Sequence, residues 1–132
     1  MARPRHENPT PAELEVLQVI WERGPSTVRE VMNALNHDRP RAYTSVMSLM
    51  NVMVEKGLLT QKPKGRAFVY SARISQTRTQ SEIVQDLLSR VFDGSASALV
   101  THLLEQARPD SEELDEIRKT ISEFARKKGG TS

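Results

Sequence analysis

The chain has no cysteine among its 132 residues, which excludes disulfides, thiolate metal sites and cysteine nucleophiles. Aromatic residues are scarce, at 5%, so a core has to be mostly aliphatic. No apolar run approaches the ~20 residues that a membrane helix needs. The N-terminus, Met1-Ala2-Arg3-Pro4-Arg5-His6-Glu7-Asn8, lacks the apolar stretch of a secretory signal. These absences predict a cytoplasmic protein with no membrane partner. Catalytic signatures are missing as well: there is no His-Glu-x-x-His, no phosphate-binding glycine loop and no Gly-x-Ser-x-Gly. His6, His37 and His102 fall in an arm, a loop and a helix, without metal-ligand spacing. No metal, no cofactor and no enzymatic activity are expected.

What remains is an ordinary globular balance, 37% hydrophobic and 27% charged, in a length that fits one domain or two very small ones. The net charge of +2 is too small to identify a partner. Its distribution says more. Between residues 36 and 66, six basic residues (Arg39, Arg41, Lys56, Lys62, Lys64, Arg66) face two acidic ones (Asp38, Glu55). Such an excess suits a polyanion better than the whole-chain charge does, although charge alone favours a plain solvated surface.

Residues 1–8 read as a loose polar arm. Thr10-Pro11-Ala12-Glu13 then opens a helix with a capping box and a proline in the first turn. Leu14, Leu17, Ile20 and Trp21 supply its inner face before Gly24-Pro25 stops it. Thr27-Val28-Arg29-Glu30 is a second capping box, starting a helix over 27–36 with Val28, Val31, Met32 and Leu35 inward. A polar turn leads to a third helix, 42–56, with Val46, Leu49, Met50 and Met53 at core spacing and Gly57 ending it. Two short strands follow, 58–62 and 66–72, around a Pro63-Lys64-Gly65 turn, with Phe68 and Tyr70 sharing one face. Three helices and a basic hairpin make a winged helix-turn-helix pattern.

The remainder reads as helical. A fourth helix covers 76–92, a fifth is capped by Ser95, and a sixth opens at Asp110-Ser111-Glu112-Glu113 and frays at Lys127-Lys128-Gly129-Gly130. Short amphipathic helices of this kind bury little apolar surface alone. Leu87, Leu88, Val91, Leu99, Leu103, Leu114, Ile117, Ile121 and Phe124 are the apolar positions expected to meet a second copy of the chain. Packing back onto the N-terminal domain in a monomer is the other arrangement open to them. The expected fold class is mainly α: a winged-helix domain over 8–73, then an all-α dimerisation domain over 74–127. Acidic residues 112–116 suit the first turns of a helix better than a cation site. Met32, Met50 and Met53 read as packing.

With the third helix wound at about 100° per residue, its outward face holds Arg41, Thr44, Ser45, Ser48, Asn51 and Glu55. Short hydroxyl and amide side chains let a helix approach a duplex and bond to base edges or phosphates; asparagine can also bridge adenine at two points. Thr44 and Ser45 have a plainer use at a helix start. Tyr43 has two uses, a contact to sugar or phosphate and packing against the second helix. Lys62, Lys64 and Arg66 put three cations at a hairpin tip that can follow the phosphate backbone.

These residues together resemble the BlaI/MecI penicillinase-repressor family. The resemblance runs through Thr10-Pro11-Ala12-Glu13-Leu14-Glu15-Val16-Leu17 and Trp21, Ser26-Thr27-Val28-Arg29-Glu30-Val31, and Ala42-Tyr43-Thr44-Ser45-Val46-Met47-Ser48-Leu49-Met50. It continues through Glu55-Lys56-Gly57-Leu58-Leu59, the wing Lys64-Gly65-Arg66-Ala67-Phe68-Val69-Tyr70, Val91-Phe92-Asp93-Gly94-Ser95, Leu99-Val100, and Ser111-Glu112-Glu113-Leu114 with Ile117. It covers about residues 8–125.

The resemblance implies a homodimeric repressor of a palindromic operator, with the third helix in the major groove and the wing on the backbone. A sensor protease is the signal partner in the best-known members, an antibiotic-sensing membrane metalloprotease that triggers repressor cleavage. Three departures stand out. Asn51-Val52 replaces a frequent basic pair, His102-Leu103 takes the place of the cleaved Asn-Phe bond, and the absence of cysteine excludes the copper-sensing Cys-x-Cys mode. Thr44, Ser45, Ser48 and Asn51 are therefore expected at bases or in the groove. Arg41, Tyr43, Lys62, Lys64 and Arg66 are expected at the backbone. A winged-helix adaptor that binds proteins without reading DNA is the alternative.

Overall fold

A computed structural model of the chain describes residues 8–130; of the polar arm expected over residues 1–8, residues 1–7 lie outside the described residues. The element order is α1 (Pro11–Arg23), α2 (Val28–Leu35), α3 (Tyr43–Glu55), β1 (Leu59–Lys64), β2 (Ala67–Ala72), α4 (Gln76–Arg90), α5 (Ala96–Ala107) and α6 (Ser111–Gly130). The mainly α winged-helix class expected from the sequence is the one observed. The chain divides into two compact units, and the division falls within α4, after Gln85. Among the described residues, no helix is long and apolar enough to cross a membrane.

The two capping boxes set the starts of α1 and α2. Glu13 N–H donates to Thr10 Oγ1, and Thr10 N–H donates back to the Glu13 carboxylate at 3.0 Å. Thr27 and Glu30 repeat the arrangement. Gly24, at φ 89°, turns the chain out of α1 in a conformation that favours glycine.

The core of the first unit comes from every element before α4. Val16, Leu17 and Ile20 of α1 meet Val28, Val31 and Leu35 of α2 and Val46, Met50 and Met53 of α3. Leu58, Leu59 and Tyr70 close it from the hairpin side. The inner face of α1 is rotated from expectation: Val16 is fully buried, whereas Leu14 and Trp21 are half-buried. Trp21 spends its polar edge on the chain after the hairpin, donating from Nε1 to the Ile74 carbonyl at 3.1 Å.

A buried carboxylate ties α1 to the end of α3. Glu13 lies within the core edge, and Lys56 Nζ reaches its Oε2 at 2.7 Å. Burial pushes the Glu13 carboxyl up, but the hydrogen bonds from Lys56 and Thr10 and the lysine charge outweigh it and hold the group below the ordinary 4.5.

The hairpin differs from expectation by two residues. Pro63 is in β1, opposite Phe68, and Lys64 pairs with Ala67, so the turn is Gly65-Arg66. The sheet has two strands, so a proline there can leave its missing N–H on an open side. Positive φ at Gly65 (62°) and not at Arg66 is the pattern of a type II′ turn, which fits the strand twist.

The second unit is three helix segments with tight breaks. Asp93 and Gly94 adopt positive φ between α4 and α5, and Ser95 caps α5 through Ala98 N–H. Asp110 Oδ1 accepts from Glu113 N–H at 2.8 Å and starts α6. The expected fraying at the C-terminus is not observed: α6 runs to Gly130, with Lys127 and Lys128 placed where the negative end of the helix dipole favours cations.

Candidate DNA interface

The α3 helix starts without a side-chain cap, since its N-cap residue is Ala42. Thr44 and Ser45 therefore do not serve the helix start, and their hydroxyls, like that of Ser48, make no hydrogen bond among the described residues. Thr44, Ser45, Ser48, Asn51 and Val52 are all exposed. They form one row because Val46, Met50 and Met53 anchor the opposite side of the helix in the core.

Beside this row runs a groove of about 820 Å³ between α3, the start of α2 and the hairpin. Tyr43, Met47 and Asn51 form its α3 wall, Thr27 and Arg29 its α2 wall, and Arg66, Phe68 and Tyr70 its wing wall. The structure thus brings together Tyr43, Asn51 and Arg66 of the expected site. It adds Arg29, whose guanidinium carbon sits 5.3 Å from the centre of the Tyr43 ring, a cation–π distance. It also adds Phe68, 46% exposed on the wing. Their presence was partly foreshadowed by the alternation of β2, which puts Phe68 and Tyr70 on one face. Arg29 carried no such signal, because only the packing of α2 against α3 brings it to Tyr43.

Asn51 and Tyr70 are joined: the Tyr70 hydroxyl donates to Asn51 Oδ1 at 3.0 Å. Burial pushes the Tyr70 phenol above its ordinary value, with nearby Tyr43 adding to the effect.

The four cations among the expected backbone contacts fall into two groups. Lys62, Lys64 and Arg66 are exposed at the hairpin and make no ion pair among the described residues. Arg41 is turned inward. Its guanidinium donates to the carbonyls of Leu35 and Arg39 and to Glu15 Oε1 at 3.0 Å. Its side chain is only 12% exposed, and the structure gives it an internal role at the turn between α2 and α3.

The expected dimer positions all lie in the second unit, which includes the end of α4. Leu88, Leu99, Leu114 and Ile117 are half-buried; Leu87, Val91, Leu103, Ile121 and Phe124 are exposed. The His102 ring packs with its centre 5.3 Å from that of Phe92. No group of three His, Asp or Glu side chains among the described residues is arranged to hold a metal ion.

Three packed helices, an exposed polar row on the third and a basic two-stranded wing define a winged-helix DNA-binding protein. The family model for the penicillinase repressor matches residues 9–123. The chain is 26% identical over 117 residues to the penicillinase repressor of Bacillus licheniformis, covering 89% of this chain and 91% of that protein. It is 32% identical over 114 residues to the transcriptional regulator BlaI of Mycobacterium tuberculosis, covering 85% and 81% respectively. Among solved structures, the solution structure of the Bacillus licheniformis BlaI monomeric form in complex with the blaP half-operator is 28% identical, with 54% of this chain and 87% of that chain covered and a TM-score of 0.47. The chain belongs to the penicillinase repressor family of DNA-binding transcriptional repressors.

Proposed function

We propose that the protein is a homodimeric repressor that binds a palindromic operator, with α3 in the major groove and the wing along the phosphate backbone. The observation that carries this is the α3 row: four exposed side chains able to hydrogen-bond, Thr44, Ser45, Ser48 and Asn51, beside a wing whose three cations make no ion pair among the described residues. The row supplies contacts to base edges, and Tyr43, Lys62, Lys64 and Arg66 supply contacts to phosphates. The uncapped first turn of α3 adds backbone N–H groups that favour a phosphate. Arg41 holds the α2–α3 turn in shape.

The winged-helix domain is taken as 8–73 and the dimerisation domain as 74–127. A second copy supplies the cover for the apolar side chains of α5 and α6, whose Leu114, Ile117, Ile121 and Phe124 follow a 3-4-3 spacing suited to a helical seam. A two-fold dimer then reads half-sites whose centres lie about 10 base pairs, one helical turn, apart or slightly more. A sensor protease fits this chain less well as its signal partner than in the best-known relatives, because His102-Leu103 stands at the expected cleavage position.

The test is fluorescence anisotropy with the DNA upstream of the protein's own gene and with a scrambled duplex, over a range of salt. The expected result is preference for the upstream duplex with one dimer per site. If no duplex in a randomised pool is preferred over the scrambled one, the protein is an adaptor and the proposal fails.

A further inference from the structure

Asn51 is exposed on the outer row of α3, but its carboxamide is held from behind. Tyr70 Oη donates to Asn51 Oδ1 at 3.0 Å. Tyr70 is itself pinned at both ends. Its ring is 3% exposed in the core. Its backbone N–H donates to the Ser26 carbonyl at 2.8 Å, and its own carbonyl accepts from Ser26 N–H at 3.0 Å. The wing therefore fixes an amide that stands on the recognition helix.

The direction of this bond matters for readout. A free asparagine reads adenine at two points: the amide oxygen accepts from N6 and the amide nitrogen donates to N7. Here Oδ1 already faces the protein, and the two Nδ2 hydrogens are the groups left to face outward. On its major-groove edge guanine offers two adjacent acceptors, N7 and O6, whereas adenine sets a donor beside its N7.

We propose that Tyr70 is a positioning residue for sequence recognition: by holding Asn51 Oδ1 it presents Asn51 as a donor, which selects guanine over adenine at one position of each half-site. This rests on α3 reading DNA, as proposed above. The Tyr70 phenol is protonated at neutral pH even at its ordinary value of about 10, and burial only moves it further up, so the hydroxyl is a donor. The Asn51 side chain touches the base; Tyr70 acts through it.

The experiment is selection from operator duplexes randomised in one half-site, followed by sequencing, with the full-length wild type, Tyr70→Phe, Asn51→Ala and the double variant. Wild type is expected to enrich guanine at one position. Asn51→Ala flattens that position. Tyr70→Phe frees the amide and moves the same position toward adenine, by about fivefold or more. The double variant matches Asn51→Ala, and the salt dependence is unchanged throughout. A flattened position in Asn51→Ala with no change in Tyr70→Phe overturns the role of Tyr70 alone. No changed position in Asn51→Ala overturns base reading by Asn51 and the inference with it. Asn51→Asp does not disturb the core and decides the matter if Tyr70→Phe does not fold. Its carboxylate keeps the tyrosine bond but loses both donors, so guanine should give way to cytosine, which offers an N4 donor. Adenine enriched by wild type at the Asn51-dependent position overturns the inference whatever the variants do.

Discussion

The two units of this chain differ in where their apolar side chains go. Among the described residues, all twelve buried hydrophobic side chains lie between Val16 and Tyr70. From Asp86 to Gly129 no residue is buried, and Val91 and Phe124 are 65% and 69% exposed. The first unit closes a core from three helices and a hairpin, none longer than 13 residues. The second has the longest helix, of 20 residues, and no core. Helix length is therefore no guide to autonomy; what counts is how many elements converge on one point. A unit with its apolar faces open calls for a further surface, which the proposal above assigns to a second copy of the chain.

The strongest way to break this contrast is to charge the seam of α6. Ile117→Asp with Ile121→Asp should lower the mass seen by sedimentation and abolish tight operator binding, while the first unit keeps its thermal stability. On a truly solvent-facing helix such changes stay within about 0.5 kcal/mol. A loss well beyond that would mean both positions are covered in the working protein. A wild-type chain that sediments as a monomer at micromolar concentration removes the proposed role of α5 and α6.

A second, smaller effect belongs to the first unit alone. The folded-state carboxyl of Glu13 lies below its ordinary 4.5, so its contribution is present above that value and is lost as pH falls through the folded one. Glu13→Gln should cost about 1–2 kcal/mol at neutral pH, a figure kept low because Lys56 is partly in water. The difference between wild type and variant should shrink toward zero on acidification below pH 4.5. Urea titrations at neutral and acid pH measure it. An equal difference at both would mean that shape rather than charge makes Glu13 useful.

Much of this was legible in the sequence, and the pattern of what was not is physical. Helix starts were readable because Thr10 with Glu13 and Thr27 with Glu30 are local chemistry, settled within four residues. The outward row of α3 was readable because a helix fixes which side chains share a face. The hairpin register was missed because Pro63 looks like a turn residue, yet it sits opposite Phe68 in the strand. That choice depends on Gly65 taking positive φ, which sequence spacing does not reveal. The inward turn of Arg41 and the grip of Tyr70 on Asn51 were invisible for another reason. Each joins residues brought together only by packing: Arg41 to Glu15 across 26 positions and Tyr70 to Asn51 across 19.

The smallest expected effects sharpen the contrast within the basic stretch itself, where composition treats Arg41, Lys64 and Arg66 as equivalent. Arg41 is committed to two backbone carbonyls and Glu15, so Arg41→Ala should lower the stability of the first unit by about 1 kcal/mol. Lys64 and Arg66 stand in solvent at the wing, and replacing either with Ala should change stability by no more than about 0.5 kcal/mol. Their loss should show on DNA instead, as a uniform weakening across sequences and a salt slope smaller by about one per cation removed. Thermal unfolding and anisotropy against salt, made on the same three variants, separate a cation that shapes the protein from one that meets a phosphate. Should Lys64→Ala and Arg66→Ala leave the salt slope unchanged, the wing does not touch the backbone, and the α3 row would have to carry the affinity by itself.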